Sequence, residues 1–237
     1  YTNSGSAGSF RAIGAPQVIF AGESQIDIAA RRLGIDPAEL RQKNLLKKGE
    51  ELRPGLKGID ADLNYGLKKL LGASQWKSLT KKKAAPVGLA CAVTNAGATP
   101  VSVAMARLQS DGVVNLFAGS TEMGQGVRTV LSQIAAEELT IPLDRIRVAG
   151  ADTKVTPYDS STGSSRSTTC MGNAVQGAAR DLRKQLVMIA AETFRVPQNQ
   201  VKLQDGSLIS GEAGLTFQEA LERRFGKGAG GELIGHG

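Results

Sequence analysis

The chain of 237 residues is 41% hydrophobic and carries a net charge of +7. That length and hydrophobic content can bury the core of one large domain or of two small ones, so the composition excludes a disordered chain. The basic residues are scattered apart from the run at 81–83, and aromatic residues make up only 4% of the chain. We therefore expect no nucleic-acid interface.

The cysteines and the histidine restrict the chemistry further. Cys91 and Cys170 are far apart and form no C-x-x-C pair, which argues against a zinc knuckle and a disulfide framework. His236 is the only histidine and lies at the very end of the chain, which argues against a Ser/His or Cys/His pair and a multi-histidine metal site.

No apolar run approaches the ~20 residues of a membrane span. No signal peptide is visible either, so we expect a cytoplasmic protein.

Helices are predicted for the first 80 residues. Apolar residues at helical spacing indicate a helix over 23–33. The sequence Asp-Pro-Ala-Glu at 36–39 combines an N-cap, a proline in the first turn and a capping-box glutamate, and it predicts a second helix to about residue 46. A third helix is predicted from Asp62 to Gly72.

The remainder of the chain combines strands with helices. Strands are predicted at 86–94, 101–108, 113–118 and 145–148, the first three as an antiparallel meander. A hairpin is predicted over 201–209, and a capping box at 216–219 predicts a last short helix. The fold class is therefore α+β: a helical N-terminal segment, 1–80, followed by an α/β domain, 81–237, in which helices pack on a mixed β-sheet.

A glycine-rich segment, Gly-Ser-Thr-Glu-Met-Gly-Gln-Gly at 119–126, lies between a predicted strand and an amphipathic helix and is called the glycine loop below. Its three glycines allow a close approach to a ligand, and the unpaired N–H groups of the following helix attract anions. Gly119 and Gly124 have the spacing of a Walker A loop, but Gln125 stands where its lysine is needed, which disfavours a nucleotide-dependent enzyme. The loop also lacks the third glycine of the dinucleotide-binding fingerprint.

A second segment, 152–169, is dense in hydroxyl groups and is called the serine loop below. It precedes the longest amphipathic stripe of the chain and holds Arg166 between two serines. Such composition is typical of a solvent-exposed loop, but it can also wrap a polar ligand with many donors and acceptors. Two such loops at helix N-termini that face one cleft can hold a large polar cofactor carrying phosphate.

Four segments resemble motifs of the molybdenum hydroxylases, the xanthine dehydrogenase and aldehyde oxidase family. The segment 10–17 is similar to the F-R-G-x-G-x-P-Q motif of that family, and 36–44 is similar to its D-P-x-E-x-R-x-x-N motif. The glycine loop resembles G-x-x-E-M-G-Q-G, and 152–172 resembles the last pterin-binding loop. The four motifs occur in family order and cover most of the chain.

The resemblance implies that the chain is an internal fragment of the molybdopterin-binding large subunit, which hydroxylates aldehydes or N-heterocycles at a molybdenum centre with water as oxygen source. In this family Arg11 and Ile13 would line the molybdenum pocket. The residues that would contact the pterin are Gly124, Gln125 and Gly126. The residues that would hold the pyranopterin and its phosphate are Thr162, Gly163, Ser164, Ser165, Arg166 and Ser167.

The resemblance also implies what lies outside the chain. The cofactor is molybdopterin, with or without an appended nucleotide, and the partners are the rest of the large subunit, iron–sulfur and flavin (FAD) subunits or domains, and a small-molecule substrate. The catalytic glutamate of the family belongs to a G-E-P motif that this chain does not contain, so we expect the isolated chain to be inactive. Ile13 replaces the Phe of purine hydroxylases, which argues against xanthine as substrate. The alternative is a non-catalytic module that binds a phosphate-bearing ligand or a partner chain.

Overall fold

The computed structural model describes residues 3, 5, 11–81, 86–92, 101–150 and 152–237. The chain forms two compact units, Tyr1–Thr94 and Asn95–Gly237. The domain boundary that the sequence places between residues 80 and 81 stays a prediction. Phe10 of the first family motif and two lysines of the basic run, Lys82 and Lys83, lie outside the described residues.

The N-terminal unit is helical. Its helices are α1 (Ala15–Leu33), α2 (Pro37–Asn44), α3 (Leu63–Ala73) and the short α4 (Trp76–Leu79). The helix predicted over 23–33 begins earlier, at Ala15, because Pro16 occupies the first turn, where its missing N–H leaves no hydrogen bond unmade. The predicted N-cap of α2 is confirmed, since the Asp36 side chain accepts a hydrogen bond from the Ala38 N–H at 2.7 Å.

A buried arginine joins α1 to α2. Arg41 is 2% exposed, and its guanidinium donates to Glu23 and Asp27, both at 2.8 Å. Burial opposes the charge, but the two carboxylates outweigh it and raise the pKa of Arg41. The arginine of the 36–44 motif therefore has a structural role in this unit.

The C-terminal unit contains a four-stranded mixed sheet with the order β3-β2-β1-β7. Its strands are β1 (Ala104–Leu108), β2 (Val114–Ala118), β3 (Ile146–Val148) and β7 (Leu233–His236). β1 pairs antiparallel with β2, as predicted, whereas β3 is parallel to β2 because a helix connects them. The strand predicted over 86–94 is wrong for residues 86–92, which are not in a strand; 93–94 lie outside the described residues.

Two helices pack on this sheet. They are α5 (Val127–Leu139) and α6 (Gly172–Phe194), and α6 is preceded by a π-helical turn, Ser167–Met171. Alternate residues of β1 and β2 are buried against them, so the core lies between the sheet and the two helices. The π-helical turn begins within the serine loop, and α6 itself follows that loop, as the sequence predicts.

A small antiparallel sheet follows α6. Its strands are β4 (Lys202–Gln204), β5 (Ser207–Ser210) and β6 (Ala213–Thr216), and α7 (Phe217–Phe225) closes the segment. The predicted hairpin and the predicted capping box of α7 are both confirmed, and Thr216 and Glu219 form that capping box. In the part of the chain that the structure describes, no helix has the length and apolar character needed to cross a membrane.

Candidate functional site

The glycine loop connects β2 to α5, as the sequence predicts. Gly124 and Gly126 have φ values of 93° and 77°, a left-handed conformation that favours glycine. Gly119 serves a different purpose: a Cβ there would lie 2.8 Å from the Asp159 Cβ, which is closer than packed carbons come. Its missing side chain lets the serine loop approach the end of β2.

Glu122 fills the N-terminal end of α5. Its Oε1 accepts hydrogen bonds from the N–H groups of Gly124 at 2.9 Å and Gly126 at 3.0 Å, and its Oε2 accepts one from Arg128 at 3.3 Å. These N–H groups, that of Gly126 foremost, hold the pKa of Glu122 below its usual range. The helix end that the sequence offers to an external anion is therefore occupied by a carboxylate of the loop itself.

Gln125 is also bonded within its own loop. Its Oε1 accepts from the Met123 N–H at 2.6 Å, and its Nε2 donates to the Thr121 carbonyl oxygen at 2.7 Å. The loop is thus closed by its own side chains and keeps the backbone of residues 124 and 125 exposed to solvent. A ligand would meet Gly124 there, together with the exposed side chains of Met123 and Gln125.

The serine loop presents hydroxyl groups at the surface. Ser164 and Ser165 are exposed and adopt left-handed φ values of 50° and 53°, which non-glycine residues rarely take. Among the described residues, neither of their hydroxyl groups has a hydrogen-bond partner. Gly163 is exposed beside them, and its carbonyl oxygen accepts from the Arg166 N–H at 3.1 Å. Ser167 begins the π-helical turn.

Arg166 lies beneath this loop, 2% exposed, and pairs with Asp159 at 2.7 Å. Its guanidinium also donates to Ser102 Oγ at 2.8 Å and to the carbonyl oxygens of Val101 at 2.7 Å and Ser160 at 3.2 Å. The ion pair with Asp159 raises the pKa of Arg166. The side chain that the sequence assigns to a phosphate is therefore bonded to the protein interior.

Asp159 connects both loops to the strand β1. Its Oδ1 accepts from Ser102 Oγ at 2.7 Å, and its Oδ2 accepts from Ser120 Oγ at 2.8 Å. Burial favours the neutral acid, but the hydrogen bonds from Ser102, Arg166 and Ser120 together outweigh it and lower the pKa of Asp159. Asp159, Ser120 and Glu122 were not predicted from the sequence. For Asp159 the only signal was its position seven residues before Arg166, which is too weak to predict an ion pair.

The two loops are in direct contact. The Thr121 N–H donates to Thr162 Oγ1 at 2.9 Å, in addition to the hydrogen bond between Ser120 and Asp159. The structure thus brings the predicted residues of the glycine loop next to those of the serine loop. Arg11 and Ile13 belong to the N-terminal unit, where both are exposed in a turn before α1, and their place at a cofactor stays a prediction.

Two family models match the chain. Both are described as a molybdopterin cofactor-binding domain; one matches residues 65–237 and the other matches residues 1–45. Together they include both loops, the N-terminal turn with Arg11 and Ile13, and the two helices α1 and α2.

Curated relatives and solved structures agree with this match. The chain is 35% identical to the putative xanthine dehydrogenase molybdenum-binding subunit of Escherichia coli K12, over 88% of this chain and 30% of the relative. It is 30% identical to the gamma subunit of the 6-hydroxypseudooxynicotine dehydrogenase complex of Paenarthrobacter nicotinovorans, over 87% of this chain and 28% of the relative. The fold is similar to that of quinoline 2-oxidoreductase from Pseudomonas putida 86, with a TM-score of 0.79 and 23% identity over 97% of this chain and 33% of that one. The chain thus spans less than a third of the length of these proteins.

Proposed function

Because the chain belongs to the molybdopterin cofactor-binding domain family of the molybdenum hydroxylases, we propose that it forms part of the cofactor site in the large subunit of such an enzyme. The observation that carries this proposal is the contact of the two small-residue loops through Thr121 and Thr162. The complete subunit would hydroxylate an aldehyde or an N-heterocycle, converting a C–H bond into C–OH with oxygen from water and releasing two protons and two electrons.

The residues of the loops fit a large polar ligand that carries phosphate. The exposed hydroxyl groups of Ser164 and Ser165 and the exposed backbone around Gly163 supply hydrogen-bond donors without bulk. A carboxylate would repel a phosphate group. The carboxylate of the glycine loop, Glu122, accepts hydrogen bonds from three N–H groups, whose partial positive charges offset part of its negative charge. The donor set therefore supports binding of molybdopterin.

The roles divide between the two loops. Gly124, Gln125 and Gly126 would contact the pterin, and residues 162–165 together with Ser167 would hold the pyranopterin and its phosphate end. Since Glu122 already fills the end of α5, the phosphate is left to the serine loop. Arg166 would act from below by supporting that loop. Arg11 and Ile13 would line the molybdenum pocket.

The bound cofactor supplies oxygen-atom transfer at molybdenum and accepts the two electrons. The residues of this chain bind and orient it. Electrons would leave through iron–sulfur and flavin subunits or domains, and the remaining parts of the large subunit would supply the catalytic glutamate. Relatives whose names designate them as subunits of dehydrogenase complexes support a multi-subunit assembly.

Metal analysis and pterin fluorescence of the complete native complex test this function. We expect about one molybdenum and one pterin per large subunit, because the cofactor carries both. A complex that contains neither would contradict the proposal and would favour a non-catalytic module whose exposed serine hydroxyls bind another phosphate-bearing ligand. A substrate series of aldehydes, N-heterocycles and xanthine would then identify the substrate class of a loaded complex.

A further inference from the structure

We propose that Asp159 is a positioning residue, whose carboxylate, held by Arg166, fixes the distance between the glycine loop and the serine loop and thereby retains the cofactor. This inference rests on the proposed function and assigns a role to Asp159, Ser102 and Ser120, none of which the family motifs place at the cofactor.

The carboxylate is enclosed by three segments of the chain. Its side chain is 2% exposed and that of Arg166 is 3% exposed. Ser102, two residues before β1, and Arg166 donate to Oδ1, whereas Ser120 of the glycine loop donates to Oδ2. One oxygen therefore connects to the strand and the serine loop, and the other oxygen connects to the glycine loop.

The backbone shows the same close approach. Ser102 and Asp159 form an antiparallel β-bridge, and Gly119 leaves no room for a Cβ against Asp159. Beyond this point the two loops meet again where the Thr121 N–H reaches Thr162 Oγ1. Asp159 thus lies directly below the surface that the two loops present, and a shift of its carboxylate would move Ser120 and Thr121 relative to Thr162.

The side chains of Asp159 and Arg166 are both buried, so this ion pair does not contact a ligand at the surface directly. Its effect on a ligand acts through the loops that it connects. Partners behind the residues that contact a cofactor commonly change its affinity by roughly 10- to 100-fold when they are removed. The pair is expected to act on the cofactor in this way.

Two serines provide a matched test, because both donate to the same carboxylate from opposite sides. Ser120→Ala removes the hydrogen bond to the glycine loop. Ser102→Ala removes a hydrogen bond to Asp159 and also one from Arg166, so its effect on folding is the larger of the two. A purely structural role of Asp159 therefore predicts that Ser102→Ala has the greater effect on every property.

The experiment uses the complete large subunit in its complex, loaded with cofactor, at a temperature well below its unfolding midpoint. Released pterin is followed by fluorescence after gel filtration. We expect Ser120→Ala to accelerate release about tenfold and Ser102→Ala to change it less than about twofold.

Amide exchange of the cofactor-free subunit gives a readout that does not depend on loading. The Thr121 N–H should exchange faster in Ser120→Ala than in Ser102→Ala. Equal effects of the two serine variants on release and exchange, or a greater effect of Ser102→Ala, would overturn the inference while the proposed function stands. A wild-type complex without pterin and molybdenum would overturn the proposed function, and the inference with it.

Discussion

Glu122 determines what the N-terminal end of α5 can bind. A helix end exposes N–H groups that attract anions, and this carboxylate already accepts hydrogen bonds from the N–H groups of Gly126 at the N-cap and Arg128 in the first turn, besides that of Gly124 in the loop. An external phosphate would have to displace a charged group that belongs to the loop. The glycine loop is therefore ordered before any ligand arrives, which reduces the entropy lost on binding.

The replacement Glu122→Gln tests whether this carboxylate keeps the glycine loop ordered. The amide keeps one acceptor oxygen and loses the charge, so the N–H groups of Gly124, Gly126 and Arg128 should exchange with solvent about fivefold faster. Hydrogen exchange with resolution of single amides measures this. Glu137→Gln, an exposed position of the same helix, is the control. Identical exchange in the two variants would show that Glu122 does not order the loop.

The pH dependence of stability reports on Asp159. Its pKa is lowered in the folded chain, so the stabilisation by its ionised form is complete above the unfolded value of about 3.9 and is lost as the pH falls through the lower folded value. Asp159→Asn leaves Arg166 buried without its counter-charge and should cost about 3 kcal/mol near neutral pH. We expect that difference to stay constant down to about pH 5 and to shrink only below about pH 4.

Unfolding midpoints of the wild type and of Asp159→Asn, measured side by side from neutral to acidic pH, check this expectation. Arg166 is the charged group that faces the carboxylate, and it stays protonated throughout this range because its pKa is raised. A difference that shrinks already between pH 7 and pH 5 would contradict a lowered pKa of Asp159.

At the level of elements, the C-terminal unit depends on the close packing of β7 against α6. A Cβ at Gly235 would lie 2.1 Å from the Ala178 carbonyl oxygen, so glycine is the only residue that fits between strand and helix. β7 is the edge strand next to β1 and pairs with it over four residues. The helix that follows the serine loop is thus held by the last strand of the chain.

The replacement Gly235→Ala should lower the free energy of unfolding by about 1–3 kcal/mol, because the added methyl group forces the strand away from the helix. Gly214→Ala in β6 is the matched control: no described atom lies within 4 Å of the Cβ that it would add, and its backbone is not left-handed. Denaturant unfolding of both variants measures the difference. Equal stability of the two variants would show that the contact with Ala178 relaxes freely.

The elements that the sequence predicted are those with strong local signals. The caps at Asp36 and Thr216 and the turn from β2 to α5 depend on residues a few positions apart, and all three are confirmed. β6 and β7 were not predicted, because β6 contains alanine and glycine and β7 contains a glycine, residues that rarely indicate a strand. Pairing with the neighbouring strands, β5 for β6 and β1 for β7, keeps them extended. The apolar segment 86–92 was wrongly assigned to a strand.

In the candidate site, too, features with a local sequence signal were predicted, and contacts between distant residues were not. The loops were predicted because their small residues and flanking elements are visible in the sequence, and the hydrogen bond from Thr121 to Thr162 shows that they meet; the cofactor cleft between them stays a prediction. The group beneath them was not predictable, because Ser102, Ser120 and Asp159 are 18 or more residues apart and meet only in the folded chain. The resemblance also assigns Arg166 to the cofactor; its side chain is buried and paired with Asp159, and its contact with a cofactor stays a prediction.

At the scale of the whole molecule, the chain belongs to the molybdopterin cofactor-binding domain family. It spans less than a third of the length of its relatives, and the catalytic glutamate motif of the family is not in its sequence. No group of three or more metal-ligating side chains lies together among the described residues.

We accordingly expect the isolated chain to show no substrate oxidation. Assays with aldehydes and N-heterocycles and an artificial electron acceptor, run beside the complete complex, measure this directly. A circular dichroism spectrum with the helix content of the fold is needed as a control, because an unfolded chain would be inactive for a trivial reason. Turnover by the folded, isolated chain would contradict the assignment of the catalytic base to another part of the large subunit.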